Sequence, residues 1–395
     1  MKVILLGLLF CDASLKRTLQ MTKCGVQYAP HKFQSNLING FLQLEDVDLH
    51  VINVPPTGSF PMNSKELYAP QYRWGKGYKQ ISFLNLPIFK HWQQQRKLYK
   101  ECCSCIRSTK EQVHILIYSP YGPFLKVCEA LKKKYPNVKC SMILTDPIPG
   151  RGDLARFMTK DAVEKGNKIV RKAQCMDSFV VLTEGLAETV ETNGRPYTIV
   201  ECVCDDGQMP SAISTGKEKI VLYAGALEEE YGILDVAKAF AELPDAQFWI
   251  YGRGNAEKEL KALAQTYPNI RFFGFVPQET VAKARDACDF LINPRRPTGT
   301  FTRYSFPSKT VEYMAAAKPV IMYKLEGVPG EYDAYLNYLS ATEPAGIALQ
   351  LKEIFESDYE ALQKKAEAGR LFVMTQKSGA GQAKKIYTLF QQHKS

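Results

Sequence analysis

The chain has 395 residues, of which 45% are hydrophobic and 23% charged, and its formal net charge at pH 7 is +10. This length exceeds what one hydrophobic core usually holds, and the absence of biased tracts excludes a disordered or fibrous protein, so we expect two globular domains. The 11 cysteines and five histidines give no complete zinc set, since the CxxC pair of Cys102 and Cys105 has no second pair, and we expect reduced thiols.

The first half of the chain alternates short apolar runs with helical periodicity. Strands are predicted at 3–10, 47–54, 113–118, 138–144, 179–183 and 197–201, and helices at 32–44, 89–107, 124–135 and 154–173. Such alternation is typical of βαβ units with a parallel sheet. The apolar run at 3–10 is too short to cross a bilayer and lacks a small-residue cleavage site, so we interpret it as a buried strand and expect no signal peptide.

A second alternating series follows a polar, turn-rich segment at 205–216, which is a predicted linker. Strands are predicted at 220–223, 247–251, 270–273, 290–293 and 319–323, and helices at 232–243, 256–267, 278–287, 307–317, 343–355, 359–375 and 380–392. We predict an α/β protein of two Rossmann-like, doubly wound parallel-sheet domains that face each other across a cleft, with ligands at the carboxyl ends of strands. The predicted domains are 1–205 and 206–378, and residues 379–395 form a helix that could cross back to the first domain.

The positive charge is unevenly distributed. Residues 1–205 hold 28 Lys and Arg against 18 Asp and Glu, whereas residues 206–395 hold 23 of each. The first half could therefore meet membrane lipids, phosphorylated acceptors or nucleic acid, or it could have a solvated basic surface without a partner. Between 68 and 92 aromatic and basic side chains interleave, which fits a membrane interface, stacking on nucleic-acid bases or an ordinary folded loop.

The segment 303–321 carries the most specific pattern. Pro307 is predicted to begin a helix whose first turn offers Ser308, Lys309 and Thr310. The free N–H groups and positive dipole of a helix start bind anions, and a lysine there adds a charge suited to phosphate. Glu312, one turn on, would be within reach of a ribose if a diphosphate sits at the helix start. The alternative is an ordinary core-facing helix with a surface lysine and glutamate.

Three glycine-containing loops follow successive strands of the second half. Gly225 lets a ligand approach the backbone, and Gly252 and Gly254 flank the cation Arg253. Main-chain groups of Phe275 and Val276 could read a base edge. Each glycine alone usually marks only a turn, but their recurrence before the Pro307 helix favours a nucleotide site.

These motifs resemble glycosyltransferase family 4, the retaining nucleotide-sugar transferases of GT-B fold. The resemblance covers 223–320 well, and 28–40 and 143–147 are similar to bacterial members that build surface polysaccharides. It implies that Ser308, Lys309 and Thr310 hold the donor diphosphate and that Glu312 grips the ribose hydroxyls. It also implies that the loop of Arg303, Tyr304, Ser305 and Phe306 meets the donor sugar.

The chain departs from the family pattern at three positions. Tyr304 stands where the first of two glutamates is usual, Ala226 replaces an arginine and Tyr231 replaces a lysine. The available cations are Arg253, Arg295, Arg296, Arg303 and Lys309. Because a departing diphosphate needs its charge stabilised, we predict that Lys309 acts together with Arg295 or Arg296, unless these arginines form only surface salt bridges.

Acceptor-side residues are predicted in the first half. Asp146 follows the strand at 138–144 and could orient or deprotonate the acceptor hydroxyl; its alternative is a turn aspartate before Pro147. Lys32 and Gln34 are predicted at the acceptor mouth, although a solvent-facing helix start explains them equally well.

We therefore predict a retaining hexosyltransferase with a UDP-sugar as the first candidate donor and a glycan or lipid-linked acceptor in bacterial surface-polysaccharide synthesis. No cofactor or metal is expected, because no acidic pair marks a metal site. The expected location is cytoplasmic, with anionic membrane as a peripheral partner, and no nucleic-acid motif is present. The missing glutamate and cations motivate the alternative of a degenerate, non-catalytic partner subunit or glycan-binding module.

Overall fold

The computed structural model describes residues 1–24, 26, 28–204 and 216–392. Contacts divide the chain into two compact units: Met1–Val203 together with the chain from Lys377 onward, and Cys204–Gln376. The predicted linker at 205–216 lies, apart from Gly216, outside the described residues.

The first unit is a three-layer α/β structure. Its elements are β1 (Lys2–Gly7), α1 (Asp12–Met21), α2 (Tyr28–Leu42), β2 (Asp48–Asn53), β3 (Tyr68–Ala69), β4 (Tyr72–Arg73), β5 (Tyr78–Gln80), β6 (Phe83–Leu84), α3 (Phe89–Arg107), β7 (Val113–Tyr118), α4 (Gly122–Lys134), β8 (Val138–Leu144), a 3-10 helix (Gly152–Phe157), α5 (Lys160–Ala173), β9 (Ser178–Val181), α6 (Glu184–Val190) and β10 (Tyr197–Ile199). The strand order of its main sheet is β10-β9-β8-β7-β1-β2-β5-β4, and β3 pairs separately with β6.

All pairings in the main sheet are parallel except that of β4 with β5. Every residue of β7 is buried, as expected for a central strand that helices cover on both faces. Chain order runs in opposite directions on the two sides of the β1–β7 pair, which is the mark of a doubly wound sheet.

The second unit repeats this architecture. Its elements are β11 (Ile220–Ala226), a 3-10 helix (Glu229–Tyr231), α7 (Ile233–Phe240), β12 (Gln247–Arg253), α8 (Glu257–Thr266), β13 (Ile270–Gly274), α9 (Gln278–Ala287), β14 (Phe290–Asn293), a 3-10 helix (Thr300–Tyr304), α10 (Ser308–Ala315), β15 (Val320–Tyr323), a 3-10 helix (Gly330–Tyr335), β16 (Leu336–Leu339), α11 (Pro344–Glu356) and α12 (Tyr359–Gln376). Its sheet is parallel with the order β13-β12-β11-β14-β15-β16. The strand order reverses between β11 and β14.

The last helix, α13 (Gly379–Gln391), returns to the first unit and packs on α2. A β-carbon at Gly40 would lie 1.9 Å from the carbonyl oxygen of Gly379, so the two helices cross at a point that only glycine allows. Lys377, just before α13, is fully buried and its Nζ lies 2.5 Å from Glu201 Oε1. The Gln382 side chain donates to Glu201 as well, at 3.3 Å. This buried polar contact fixes the returning helix.

The strands and helices predicted above are confirmed, most with shifts of a few residues at their ends. The helix predicted at 154–173 was wrong in its first part, because Gly152–Phe157 is a 3-10 helix and α5 begins only at Lys160, after its N-cap Thr159. Alternation missed the short elements: α1, α6, β16 and the strands β3 to β6. The predicted start of α10 was early by one residue, because Pro307 is its N-cap with ψ of 100° and Ser308 is its first helical residue. Along the described ranges, no helix has both the length and the apolar character that crossing a bilayer demands.

Candidate functional site

A pocket of about 180 Å³ opens at the carboxyl end of the second unit's sheet, where the strand order reverses between β11 and β14. Ligands of doubly wound sheets bind at this switch point. The lining residues are Tyr223, Ala226, Tyr231, Asn293, Arg295, Phe306, Pro307, Ser308 and Lys309.

The first turn of α10 forms one wall of the pocket. Pro307 contributes no N–H, and its carbonyl accepts a hydrogen bond from the Thr310 N–H at 2.9 Å. The main-chain N–H groups of Ser308 and Lys309 have no acceptor within the described residues. Two free amides at the positive end of a helix make this wall suited to an anion.

Lys309 lies across the end of β11. A β-carbon at Gly225 would be only 2.5 Å from Lys309 Cε, so the lysine side chain occupies the space that the glycine leaves open. Its Nζ is 6.0 Å from the centre of the Tyr313 ring. Across the described chain this ammonium makes no hydrogen bond or ion pair. Burial lowers the pKa of Lys309, an effect that Glu312 opposes and Arg285 reinforces.

Arg295 provides the second cation of the pocket. Its Nη1 donates to Ser305 Oγ at 3.3 Å. Its guanidinium carbon lies 5.5 Å from the centre of the Tyr231 ring and 5.2 Å from that of Phe301. The rings and the hydroxyl hold the guanidinium in place, and no carboxylate among the described residues neutralises it. It therefore remains available to an anionic ligand.

Asn293 is a pocket residue that sequence reasoning missed. It ends β14 and is only 5% exposed. Its Oδ1 accepts from the main-chain N–H of Arg295 at 3.4 Å, whereas its Nδ2 has no partner in the described structure. A buried donor without an acceptor is costly unless a ligand satisfies it. The available signal was a polar residue at the end of an otherwise apolar strand beside the switch point.

Several predicted residues do not line the pocket. Arg296, predicted as catalytic, forms an ion pair with Asp235 of α7. Thr310 is fully buried, and its hydroxyl lies 3.6 Å from Met322 Sδ. Tyr304 is 1% exposed in the protein interior. Of the two neighbouring arginines, Arg295 therefore lines the pocket and Arg296 does not, and Thr310 and Tyr304 are buried outside its lining.

The other predicted donor-side residues lie on the loop before α10 and on α10 itself. Phe306 is part of the lining and Ser305 holds Arg295, while Arg303 is half-buried on the same loop. Glu312 is exposed one turn into α10. The loop between Arg303 and α10 therefore borders the pocket through Phe306 and Pro307, and its donor-sugar role stays a prediction.

A second group of predicted residues lies where β12 and β13 end. A β-carbon at Gly252 would lie 1.8 Å from the Gly225 carbonyl oxygen, so the ends of β11 and β12 are in direct contact. The Arg253 guanidinium carbon lies 4.9 Å from the centre of the Phe275 ring, and Phe275 is 73% exposed. Val276 follows, half-buried. An exposed ring beside a cation offers a surface on which a base can stack.

The predicted acceptor-side residues belong to the first unit. Asp146 is exposed and its Oδ2 accepts from Thr145 Oγ1 at 2.9 Å. Lys32 is exposed on α2. Gln34 is fully buried: its amide donates to the carbonyls of Leu8 and Pro30 and accepts from the Leu8 N–H. The prediction that Gln34 contacts an acceptor is therefore not supported, because both ends of its amide fasten the loop after β1.

Among the described residues, no group of three or more His, Cys, Asp or Glu side chains is placed to hold a metal ion. All 11 cysteines are free thiols.

Residues 208–371 match the family model of glycosyl transferases group 1. No curated protein matches the chain. Among solved structures, sucrose-phosphate synthase from Thermosynechococcus elongatus is similar at 14% identity over 100% of this chain and 99% of that one, with a TM-score of 0.61. Anabaena HepE, solved with UDP and glucose, is similar at 14% identity over 99% of both chains, with a TM-score of 0.57.

Staphylococcus aureus TarM, solved with fondaparinux, α-GlcNAc-glycerol and UDP, is similar at 13% identity with a TM-score of 0.53. That match covers 78% of this chain and 60% of the TarM chain, so this chain spans less than two thirds of TarM. These likenesses concern the fold, and they confirm the predicted GT-B fold class.

Proposed function

We propose that the chain is a retaining glycosyltransferase that moves a hexose from a nucleotide diphosphate sugar to a glycan or lipid-linked acceptor. The observation that carries this proposal is the pocket at the switch point of the second unit. It combines two free amides of α10 with two cations, Lys309 and Arg295, that lack carboxylate partners among the described residues. A diphosphate is the ligand that matches this set.

A UDP-sugar is the donor that we propose first. HepE and TarM, which share the fold, were solved with UDP. In this chain the uracil would stack near Phe275 with its edge towards the main chain of Val276, and Glu312 would accept hydrogen bonds from the ribose. We place the enzyme in bacterial surface-polysaccharide synthesis, in the cytoplasm, on the strength of the resemblance and of the free thiols.

The proposed transfer breaks the bond between the anomeric carbon and the diphosphate oxygen, and the electron pair leaves with the diphosphate. Lys309 and Arg295 stabilise the charge that develops on that leaving group. The acceptor hydroxyl attacks from the face that the diphosphate vacates, so configuration is retained, and its proton passes to the departing phosphate oxygen. Asn293 would donate to a donor oxygen, and Asp146 would orient the acceptor hydroxyl.

Because two side-chain cations face the diphosphate, we propose that the reaction needs no divalent cation. Turnover should then be unchanged by EDTA. A loss of turnover that Mg²⁺ or Mn²⁺ restores would contradict this part of the proposal.

A thermal-shift screen with UDP, GDP and dTDP tests the function. UDP at about 100 times its Kd should add about 2.7 kcal/mol to the free energy of unfolding, and UDP release from UDP-glucose or UDP-GlcNAc should follow. Lys309→Met should weaken UDP binding by about tenfold or more, which lowers the stabilisation at the same UDP concentration, and it should slow UDP release. Lys258→Met, which changes an exposed lysine of the same unit, is the matched control. A protein that no nucleotide stabilises would refute the proposal.

A degenerate, non-catalytic partner subunit or glycan-binding module is the second candidate, and a specific observation favours it. Ala226 and Tyr231, which stand where the family has an arginine and a lysine, both line the pocket, so two family cations are missing from its wall. Stabilisation by UDP without turnover of any UDP-sugar, together with a Lys309→Met variant that retains cellular function, would select this candidate.

A further inference from the structure

Residues 55–100 of the first unit contain most of the chain's excess positive charge. The segment has eight Lys and Arg residues and a single acidic residue, Glu66. Glu66 is only 4% exposed and forms an ion pair with Arg17 of α1. This segment therefore presents lysines and arginines to the solvent without an exposed acidic side chain.

The same segment has large apolar side chains that the fold does not bury. Ile88 is 84% exposed, and Met62, in the loop before β3, is 72% exposed. The others, with exposures of 45–60%, are Leu67, Tyr68, Phe89 and Trp92. Single exposed apolar residues are normal, but six within 31 residues of sequence are characteristic of an interaction surface.

Hydrogen bonds hold the parts of this surface side by side. Tyr68 of β3 pairs with Leu84 of β6. The Asn85 N–H donates to the Leu67 carbonyl at 2.7 Å, and the Phe60 N–H donates to the Asn85 carbonyl at 2.9 Å. The loop with Met62, the strand β3 and the start of α3 thus form one structured region. We call it the α3 surface, defined as 60–68 and 84–100.

Within α3, apolar and basic side chains share one face. Trp92, Arg96 and Lys100 recur every four residues and are all exposed, so they form one stripe along the helix. The Arg96 guanidinium carbon lies 4.9 Å from the centre of the Trp92 ring. The neighbouring acidic residue, Glu101, forms an ion pair with Lys79, with their closest atoms 2.5 Å apart. Its charge is therefore compensated outside the stripe, and the charged residues of the stripe are all basic.

We propose that the α3 surface binds bilayers that contain anionic lipids. Aromatic rings with a cationic stripe suit the headgroup region, where each lysine or arginine near an anionic surface strengthens binding about fivefold. The exposed side chains of Ile88 and Met62 favour a membrane over a nucleic acid as the partner. Aliphatic side chains gain free energy when they are buried among acyl chains, but bases cannot stack on them. The inference does not rest on the proposed transferase activity.

Co-sedimentation of the full chain with vesicles tests this inference. We expect binding to phosphatidylcholine vesicles that contain phosphatidylglycerol and much weaker binding to phosphatidylcholine alone. Salt should weaken the binding without abolishing it, since the apolar part is not screened. No binding to the mixed vesicles, or binding equal to that on phosphatidylcholine alone, would overturn the proposal.

Paired variants then locate the surface. Phe89→Ser with Trp92→Ser should reduce partitioning at least about tenfold, and Arg96→Gln with Lys100→Gln should reduce it about fivefold per charge. Leu349→Ser with Leu371→Ser, which removes two exposed leucines of the second unit, is the matched control and should change nothing. Melting temperatures and UDP binding should stay at their wild-type values.

Two results at this stage would contradict the inference. Variants of α3 that sediment with vesicles like the wild type would place the binding elsewhere. Tighter binding to double-stranded DNA than to the mixed vesicles, with affinity that falls steeply as salt rises, would identify a nucleic-acid surface instead. UDP binding, measured in the same preparations, separates either failure from a failure of the proposed function.

Discussion

Lys309 and Arg295 differ in how the protein holds them. Arg295 is fixed between two rings and donates to Ser305, so its guanidinium loses little freedom when it binds an anion. Lys309 is half-buried over Gly225, and burial lowers its pKa. Burial disfavours the protonated form of Lys309, and the negative charge of a bound diphosphate would stabilise that form again.

The lowered pKa of Lys309 predicts a pH dependence of UDP binding. Only the protonated lysine attracts the diphosphate, so affinity should be constant below its pKa and fall as pH rises through it. Because the pKa is lowered, the fall should begin below the range of an ordinary lysine, near 10.4. Calorimetric titrations from about pH 7.5 to about pH 9 would measure this, over a range in which the phosphates, with a pKa near 6, are ionised and the uracil N3–H keeps its proton.

Lys309→Arg is the control for this titration. A guanidinium stays charged throughout that range, so the variant should bind UDP with little dependence on pH. The same fall in wild type and variant would show that another group titrates.

The unsatisfied amide nitrogen of Asn293 predicts different effects on stability and on donor binding. Asn293→Leu removes a buried donor without a partner, but also the acceptor of the long hydrogen bond from the Arg295 N–H, so the free energy of unfolding should change little. Affinity for the UDP-sugar, or kcat/KM, should fall by about 1–3 kcal/mol, which is about fivefold to 150-fold, because a ligand oxygen loses its donor.

Asn269 provides the contrast. Its Nδ2 donates to the carbonyls of Phe240, Leu243 and Ala246 at 2.8–3.0 Å. Asn269→Leu should lower the melting temperature and leave UDP-sugar affinity unchanged. If Asn293→Leu behaved in the same way, Asn293 would be a structural residue.

Asp146 should act on turnover and not on the donor. Its side chain is exposed and bonded only to Thr145 among the described residues. Asp146→Asn keeps the shape and removes the charge, so kcat should fall by about 100-fold or more while the Kd of UDP stays constant. Equal kcat in the variant would assign Asp146 to the turn before Pro147.

For single residues, the sequence predicted the kind of ligand chemistry better than it predicted which residues line the pocket. Lys309 and Gly225 were predictable, because a helix start and a strand end fix where they lie. Arg295 and Arg296 are neighbours in the chain, so their sequence positions do not show which of them lines the pocket. The structure distinguishes them, because Arg296 forms an ion pair with Asp235. Asn293 was missed because its orphaned amide is a property of the packed pocket.

Among the elements, long periodic segments were predictable and short ones were not. The helix α3 and the strands β7, β8 and β14 have the predicted ends, since their apolar patterns extend over the whole element. The strands β3, β4 and β6 have two residues each, too few for alternation to show. Tertiary pairing, and not a local pattern, creates them, and the α3 surface depends on that pairing.

The contact between α13 and the first unit predicts a large effect of a single buried charge. Lys377→Met leaves Glu201, which is 1% exposed, without its cation, and should destabilise the first unit by about 3–5 kcal/mol. Replacing both partners, Lys377→Met with Glu201→Leu, should recover much of this loss, because the uncompensated charge is gone.

Urea unfolding of both variants measures this difference. A double variant no more stable than Lys377→Met would show that packing of the lysine chain, and not its charge, holds α13 in place.

Over the whole molecule, two doubly wound units have their strands in the order that places ligands at switch points. Alternating strands and helices were sufficient to predict this architecture, because right-handed βαβ connections leave few topologies. The family model and the structural likenesses agree with it. The identity of the sugar and acceptor depends instead on a few side-chain positions, which neither periodicity nor fold determines.

Calorimetric titration with UDP and with uridine tests the central claim, diphosphate binding at the start of α10, most directly. Wild-type protein should bind UDP at least about 100-fold more tightly than uridine, since two charge-assisted contacts contribute about 1.5 kcal/mol or more each. Lys309→Met with Arg295→Met should remove most of this difference, because only the main-chain amides of Ser308 and Lys309 then remain for the diphosphate. Equal affinity of the wild type for both ligands, or a double variant that binds UDP like the wild type, would contradict the account.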